Sequence, residues 1–329
     1  MGYDIIGDIH GQADKLEALL SRMGYRNTAG CWRHPDRQAI FVGDFIDRGP
    51  DQMRTVNLAR RMVEAGAALA VMGNHEFNAI AWHTPDARQP GEYLRPHQSR
   101  SDKNRKQHAA FLAEVEQDAE LHQTTIDWFL TLPLWLDLPG LRVVHACWHE
   151  LFMDYLAPRL VDGRYLSRDL MIEATDEPED EAEKDNAQAS VFKAVEALTK
   201  GIEAALPEGR SFLDKDGNRR KHVRVRWWDE SATTYPTAAI LPEEDRNGLP
   251  DMAIPEHARI TVMQDKPVFF GHYWMTGTTA PLSRNAACVD YSAGNGGALV
   301  AYRWNGETQL DAANFARVGG TAINKGRTT

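Results

Sequence analysis

Residues 40–50 read Ile-Phe-Val-Gly-Asp-Phe-Ile-Asp-Arg-Gly-Pro. The run begins with apolar, strand-forming residues and turns at a glycine into two aspartates and an arginine. Residues 51–65 then follow a helical pattern, so the stretch predicts a strand–loop–helix unit of a layered α/β fold. Ligands of open α/β sheets gather at the carboxyl ends of strands, which makes the polar loop a candidate binding site.

Four more segments place metal- or phosphate-binding residue types just after a predicted strand. They are Gly7-Asp8-Ile9-His10-Gly11, Gly73-Asn74-His75-Glu76, Val144-His145-Ala146 and Gly271-His272. Each segment alone has an ordinary structural explanation, such as a helix N-cap or a core histidine. Five of them at strand ends predict one site built by converging loops. The mixture of Asp, Asn and His suits Mn²⁺, Fe and Zn²⁺.

The wider pattern alternates strands with helices along the first 150 residues and returns to strands near the C-terminal end. The predicted strands are 3–7, 39–43, 67–72, 134–137, 141–146, 268–271, 286–291 and 298–304, and the predicted helices are 12–23, 51–65, one from residue 76, and 189–206.

Residues 151–265 differ in character from the rest of the chain. They contain an acidic run at 173–185 and a basic stretch at 215–226, and a second basic stretch lies at 95–106. A charge run usually marks a solvated face. We expect a single domain over 1–329, in which 151–265 is an insertion that caps the site. The basic residues of this insertion would attract an anionic substrate, and a plain solvated surface is the alternative.

The order of the five motifs resembles that of the calcineurin-like metallophosphoesterases. It is most similar to the phosphoprotein-phosphatase branch, which holds protein Ser/Thr phosphatases and symmetrical diadenosine tetraphosphatases, and it covers about residues 3–150 and 266–304. The resemblance implies a four-layer α/β sandwich, two mixed β-sheets flanked by helices. It also implies a pair of divalent metal ions, Mn²⁺ in the first place and Fe or Zn²⁺ otherwise.

The resemblance further implies roles for the residues that match the family motifs. Asp8 and His10 would bind the first metal and Asp44 would bridge both, while the second metal would be bound by Asn74, His145 and His272. A hydroxide between the two ions would attack the phosphorus.

Three matching residues would serve the substrate. His75 would be the general acid that protonates the leaving group, Asp47 would orient it, and Arg48 would clamp the phosphate, with Asn74 beside it. A second phosphate-binding arginine has no clear match in the sequence. Arg226 is a candidate for that role, and an ordinary surface position is the alternative.

One departure bears on the substrate. Many diesterases of the superfamily end in Gly-His-x-His, whereas this chain reads Gly271-His272-Tyr273-Trp274. We therefore expect a phosphomonoesterase similar to the protein Ser/Thr phosphatases, with a symmetrical bis(5'-nucleosyl)-tetraphosphatase as the alternative. A phosphodiesterase or nuclease and an inactive metal-binding scaffold are less favoured. Trp274 and Trp148 lie near metal-ligand histidines, where a nucleobase could stack, although most tryptophans fill cores.

Composition limits the partners. Lys plus Arg number 37 against 47 Asp plus Glu, a net charge of −10, so stable binding of nucleic acid is not expected. No apolar run reaches the roughly 20 residues that a membrane span needs. The N-terminal residues enter a strand without a signal-peptide pattern, and three scattered cysteines indicate neither disulfides nor a thiolate metal site. The expected location is the cytoplasm, the expected partner is a phosphorylated protein, nucleotide or small molecule, and the oligomeric state is open.

Overall fold

The computed structural model describes residues 2–97, 102–180, 183, 185–213, 219–261 and 265–320. Parts of the charge runs noted above, namely 98–101 and 215–218 of the basic stretches and 181, 182 and 184 of the acidic run, lie outside these residues.

A five-stranded mixed sheet carries the N-terminal motifs. Its spatial order is β15 (Phe315–Val318), β14 (Leu299–Trp304), β1 (Gly2–Ile6), β4 (Arg37–Phe41) and β5 (Ala68–Ala70). Strands β1, β4 and β5 run parallel, whereas β14 and β15 are antiparallel to their neighbours. The carboxyl ends of β1, β4 and β5 therefore meet at one edge of the sheet.

A four-stranded mixed sheet carries the two C-terminal motifs. Its spatial order is β13 (Ala286–Cys288), β12 (Val268–Phe270), β7 (Arg142–Val144) and β6 (Trp135–Asp137). The first three of these are parallel. Three small hairpin-like pairs complete the described strands: β2 (Arg26–Thr28) with β3 (Cys31–Arg33), β8 (Glu203–Ala205) with β11 (His222–Arg224), and β9 (Phe212–Leu213) with β10 (Arg219–Arg220).

The α-helices that the structure describes are mostly short. They are α1 (Ala13–Arg22), α2 (Gln52–Glu64), α3 (Asn74–His83), α4 (Lys103–Gln107), α5 (Ala109–Val115), α6 (Ala119–Phe129), α7 (Glu150–Leu156), α8 (Arg168–Ala174), α9 (Val191–Lys200), α10 (Tyr235–Ala238) and α11 (Glu243–Asn247).

Alternate residues of the central strands point into two different cores, as strands buried on both faces require. Phe269 of β12 lies with Ile5, Ile40 and Val143 between the two sheets. Phe270, its neighbour in β12, packs on the other face, in the larger cluster that the helices cover. This arrangement, two mixed sheets face to face with helices outside, confirms the predicted sandwich.

One predicted element needs correction. The helix expected over 189–206 is wrong beyond Lys200: α9 ends there, before Gly201, whose φ of +87° favours glycine, and 203–205 form β8 instead. The C-terminal strand β15 was not predicted, because its residues lack a clear alternating pattern. The remaining predicted strands exist, and the five that lead into the site, β1, β4, β5, β7 and β12, end one or two residues earlier than predicted, where the loops leave the sheet.

The first part of segment 151–265 packs into the main core. Met153, Leu156 and Leu198 are buried in the same cluster as the inner residues of the sheets. The backbone N–H of Ala146 donates to the carbonyl of Leu198 at 2.9 Å, which ties α9 to the loop after β7. At the other end of the segment, Trp227 Nε1 donates to the hydroxyl of Tyr273 at 3.0 Å. The segment is thus anchored beside both C-terminal motifs, and a capping role for it stays a prediction.

Candidate active site

The five motif loops converge at the carboxyl ends of β1, β4, β5, β7 and β12. The first two loops are joined by backbone hydrogen bonds, since the N–H groups of Ile9 and His10 donate to the carbonyl of Asp44 at 3.0 and 2.8 Å. The last two are joined by the N–H of Gly271, which donates to the carbonyl of His145 at 2.8 Å. The loops therefore form one interlocked surface.

Asp44 lies at the centre of the site. Its Oδ2 faces three imidazole nitrogens, the Nε2 atoms of His10 at 3.6 Å, His145 at 3.5 Å and His75 at 3.9 Å. Burial raises the pKa of this carboxyl, but the imidazoles of His145 and His75 outweigh burial and hold the pKa well below its usual range. Asp44 is therefore an anion surrounded by nitrogen ligands.

Two backbone carbonyls orient the histidines beside Asp44. Nδ1 of His10 donates to the carbonyl of Ile46 at 2.9 Å, and Nδ1 of His145 donates to that of Val42 at 2.6 Å. In the neutral ring this leaves the Nε2 lone pair of each histidine directed into the site. Such hydrogen bonds are typical of histidines that bind metals, because they fix the tautomer and the plane of the ring.

Asn74, His272 and Asp8 complete the predicted set. Asn74 Oδ1 lies 3.1 Å from His145 Nε2 and 2.8 Å from His272 Nδ1. Asp8 Oδ2 accepts from the backbone N–H of His272 at 3.0 Å. All six predicted ligand residues are buried within this one cluster.

The donor set fits a pair of divalent cations. Two groups of three residues bring ligand atoms within 4.8 Å of one another, His10 with Asp44 and His75, and Asp44 with His145 and His272. Asp44 belongs to both groups, as a bridging ligand would. Among the described residues, the buried atoms Asp8 Oδ1, His10 Nε2 and His272 Nε2 have no hydrogen-bond partner. Buried polar atoms are rarely left so, and cations would satisfy them.

Buried carboxyl groups give a second indication of cations. Burial, and then the neighbouring carboxylates of Asp290 and Asp44, raise the pKa of Asp8 well above its usual range. Burial and the charge of Asp44 raise the pKa of Glu76 to about 7. Buried acids that lie close together are unfavourable, because each carboxylate loses its hydration and repels the others. Positive ions between them would offset both effects.

Strained backbone marks the same loops. Six non-glycine residues there have φ in the left-handed region: His10 (50°), Asp44 (52°), Asp47 (72°), Arg48 (73°), His272 (71°) and Trp274 (53°). Such conformations persist only where the surroundings impose them, and they concentrate at functional sites. Glycine is required at position 271 for lack of space, because a Cβ there would lie 2.0 Å from Asp8 Oδ1.

His75 and Asp47 form the predicted pair. Nδ1 of His75 donates to Asp47 Oδ2 at 2.5 Å, and both residues are buried. Burial lowers the pKa of His75, but the carboxylates of Asp44 and Asp47 outweigh it and raise the pKa above its ordinary value. The ring is thus held so that Nε2 points toward Asp44 and the centre of the site.

Two residues of this site were missed by the sequence reasoning. His108, at the N-cap of α5, directs Nδ1 to the same Asp47 oxygen at 2.8 Å. Glu76 was quoted only as part of a motif, yet its carboxylate accepts from the N–H groups of Asp44, Phe45 and Gly73 at 2.8, 2.8 and 3.0 Å. Its position in the Gly-Asn-His-Glu motif was a signal for Glu76, whereas a lone histidine in a polar stretch gave none for His108.

Arg48 lies at the exposed rim of the site, and its guanidinium stacks on Trp274. The Trp274 ring is also 5.8 Å from that of His10, which places it beside the buried ligands. Trp148 instead is buried under Arg142, in the core position that most tryptophans take. Of the two tryptophans singled out in the sequence, Trp274 is the one beside the predicted phosphate clamp.

Arg226 is not brought to this cluster by any contact that the structure describes. Burial lowers the pKa of Arg226, and the charged residues that influence this pKa further are Arg246 and Asp229. Arg224, two residues earlier, lies near the site instead: burial, and then the charge of Arg224, hold the pKa of His272 well below its usual range. Arg224 Nε is also 3.6 Å from Glu203 Oε1.

The remaining sequence expectations concern cysteines and membranes. Cys31, Cys147 and Cys288 are free thiols, and the last two are buried as predicted. Within the described part of the chain, every helix falls short of the length and apolar character that crossing a bilayer demands.

The chain belongs to the calcineurin-like phosphoesterases. The profile of that family matches residues 1–194. This confirms both the family and the enzyme class predicted from the motifs, that of metal-dependent phosphoric ester hydrolases.

Two similar bacterial proteins carry a more specific name, bis(5'-nucleosyl)-tetraphosphatase PrpE (asymmetrical). The one from Oceanobacillus iheyensis is 43% identical over 76 residues, which is 23% of this chain and 30% of the relative. The one from Halalkalibacterium halodurans is 45% identical over 76 residues, 23% of this chain and 31% of the relative. The similarity thus spans less than a third of either protein.

Two solved structures are also similar to this chain, at lower sequence identity. A putative diadenosine tetraphosphatase shares 18% identity at a TM-score of 0.44, over 97% of this chain and 94% of the other. A protein serine/threonine phosphatase from Saccharomyces cerevisiae shares 15% identity at a TM-score of 0.42, over 98% of this chain and 81% of the other.

Proposed function

We propose that this protein hydrolyses phosphomonoesters with the help of two divalent metal ions, of which Mn²⁺ fits first. The observation that carries the proposal is the position of Asp44, whose carboxylate belongs to both groups of ligand-type side chains. Asp8 and His10 on one side, and Asn74, His145 and His272 on the other, are the proposed remaining ligands. When bound, two such ions neutralise phosphoryl charge and make water nucleophilic near neutral pH.

The protein side chains would position the substrate and supply a proton. Phosphoryl transfer depends on positioning and charge stabilisation, with little covalent chemistry for the enzyme to perform. Arg48 has a planar fork of N–H donors that matches two phosphate oxygens, and its exposure at the rim leaves it accessible to a substrate. Asn74, beside the second ligand group, is proposed to contact the same phosphoryl group.

His75 is proposed as the general acid. An alkoxide leaving group needs a proton, and the raised pKa of His75 favours the charged ring that carries one. Asp47 accepts from Nδ1, so the transferable proton of the charged ring is on Nε2, on the Asp44 side of the ring. Removing His75 should therefore matter most for substrates with poor leaving groups.

Segment 151–265 is proposed to cap the site and to contribute to specificity. Trp227 joins it to Tyr273, next to the ligand His272, and Ala146 joins it to the loop after β7. Arg219 and Arg220 are exposed in β10 and could attract an anionic substrate to a protein of net negative charge.

A second candidate substrate is a dinucleoside tetraphosphate. Trp274 favours it, because an indole beside the phosphate clamp provides a surface on which adenine stacks. The bacterial relatives named as bis(5'-nucleosyl)-tetraphosphatases point in the same direction. The alternative predicted from the sequence is symmetrical cleavage, which gives two ADP from diadenosine tetraphosphate. The bacterial relatives are named for asymmetrical cleavage, which gives ATP and AMP.

One panel of substrates tests both candidates. With Mn²⁺ present, kcat/KM is compared for p-nitrophenyl phosphate, an aryl diester, a phosphopeptide and diadenosine tetraphosphate. We expect kcat/KM to be larger for the monoesters than for the diester and for the tetraphosphate. A much larger kcat/KM for the tetraphosphate would replace the substrate class and keep the two-metal site, and chromatography of its products would decide the mode of cleavage.

A further inference from the structure

Asp47 is held by two histidines, only one of which belongs to a motif of the family. Its Oδ2 accepts from His75 Nδ1 at 2.5 Å and from His108 Nδ1 at 2.8 Å. All three residues are buried, with exposed fractions of 4% or less. His108 approaches from a different element, 61 residues further along the chain, at the start of α5.

The geometry fixes which nitrogens carry protons. An ionised carboxylate only accepts, so each imidazole must present an N–H at Nδ1. Asp47 is ionised: burial raises its pKa, but the interactions with His108 and His75, including their hydrogen bonds, outweigh burial and hold the pKa below the usual range. Burial lowers the pKa of His108, so this ring is a neutral donor. Among the described residues its Nε2 has no hydrogen-bond partner.

A neutral donor on Oδ2 has a definite mechanical effect. Asp47 Oδ1 has no partner among the described residues, so both anchors of the carboxylate are on one oxygen. Without His108 the carboxylate would be held by His75 alone and could turn about its terminal torsion. Arg95, whose charge acts on both Asp47 and His108, is itself bonded elsewhere, to Asn78 at 3.1 Å and Gln107 at 2.6 Å, and could not replace it.

We propose that His108 is a positioning residue for catalysis, which holds the Asp47 carboxylate in the orientation that fixes the ring of His75. The proposal rests on the proposed function, in which His75 is the general acid. His108 acts through Asp47 and does not contact the substrate. Its contribution should therefore appear in kcat, not in KM, and only for reactions that need the proton of His75.

A pair of variants of equal shape tests this. His108→Asn keeps an amide N–H near the position of Nδ1, whereas His108→Leu has nearly the same shape and no donor. Because both leave the same cavity, any loss of packing is common to them. His149→Phe is the control for removing a buried histidine at a helix start, since His149 caps α7 and stacks on Phe152.

The expected result is a loss selective for the leaving group. A hydrogen bond to a charged group corresponds to about tenfold to hundredfold in rate. His108→Leu should lower kcat for an alkyl phosphate by about that factor, with KM within about twofold, and lower kcat for p-nitrophenyl phosphate much less. His108→Asn should recover most of the loss, and His149→Phe should leave the ratio of the two substrates unchanged.

A double variant separates positioning from stability. His75→Asn should reproduce the selective loss, and adding His108→Leu to it should lower kcat no further, because the acid is already gone. If His75→Asn is selective but the second change costs another tenfold, His108 is only structural and this inference is overturned. If His75→Asn affects both substrates equally, the acid role itself fails. Should the leucine variant not fold, His108→Met, also without a donor, replaces it.

Discussion

The guanidinium carbon of Arg48 lies 4.1 Å from the centre of the Trp274 ring. Arg48 lies in the loop after β4 and Trp274 in the loop after β12, so the two residues come from different sheets. Both have φ in the left-handed region. The backbone N–H of Trp274 donates to Asp290 Oδ2 at 2.7 Å, so a buried carboxyl group holds the backbone that carries the ring. The stack therefore fixes the plane of an arginine that is otherwise exposed.

Trp274→Leu should raise KM for p-nitrophenyl phosphate by about twofold to thirtyfold, because a cation–π contact of this kind is worth roughly 0.5–2 kcal/mol. Trp274→Phe, which keeps a smaller ring, should give an intermediate value. Steady-state kinetics with Mn²⁺ provides the measurement.

Tyr155→Leu is the matched control, since the exposed Arg159, just after α7, lies over the half-buried ring of Tyr155 at 5.4 Å. It should leave KM unchanged. An equal change of KM in both variants would refute the role of Trp274. If KM for diadenosine tetraphosphate rises far more than KM for the aryl phosphate, the ring also stacks on adenine.

Asp44→Asn should reduce the metal content of the Mn²⁺-saturated protein from two ions per chain to fewer than one. The loss of charge affects both ions, because Oδ2 lies within 3.6 Å of His10 on one side and His145 on the other. Elemental analysis measures the content, and the wild-type melting temperature should rise with Mn²⁺ while that of the variant stays constant.

Asp118→Asn serves as the control, because Asp118 caps α6 away from the site by accepting from the N–H of Leu121. A single ion in the saturated wild-type protein would contradict the bridging arrangement.

Most of the candidate metal site could be predicted because it depends on local sequence. Each proposed ligand lies within four residues after a strand, and parallel strands bring their ends together. His108 could not be found in this way, since its contact with Asp47 depends on how the chain between α3 and α5 folds back. Arg226 and Arg224 differ for a similar reason: both lie near the end of one short strand, and only packing decides which of them approaches His272. Tertiary contacts, not residue type, separate the two.

Glu76→Gln should destabilise the protein by about 1–3 kcal/mol and reduce its metal content. The carboxylate accepts three backbone N–H groups from the loops of Asp44 and Gly73, whereas a glutamine must direct an NH₂ donor at one of them. Urea unfolding of the metal-free protein measures the stability.

Glu114→Gln offers a close comparison, because Glu114 of α5 also accepts two backbone N–H groups, from Gln52 at 2.7 Å and Met53 at 2.8 Å, but these belong to the start of α2. It should cost some stability and leave the metal content intact. If Glu76→Gln has the wild-type free energy of unfolding in urea and binds two ions, the two loops do not depend on this carboxylate.

Arg224→Gln should raise KM for phosphate substrates about threefold to thirtyfold, whereas Arg226→Gln should leave KM unchanged. The charge of Arg224 acts on His272, and 40% of its side chain is exposed, so its charge is available to an anionic substrate near the site. Arg226 is influenced instead by Arg246 and Asp229. The two variants remove the same charge two residues apart, so any general effect on an anionic substrate is common to both. Raising the salt concentration should lower the ratio of their KM values only modestly, because a direct contact is screened less than long-range attraction. If Arg226→Gln has the larger effect, the arginine named from the sequence is the phosphate ligand after all.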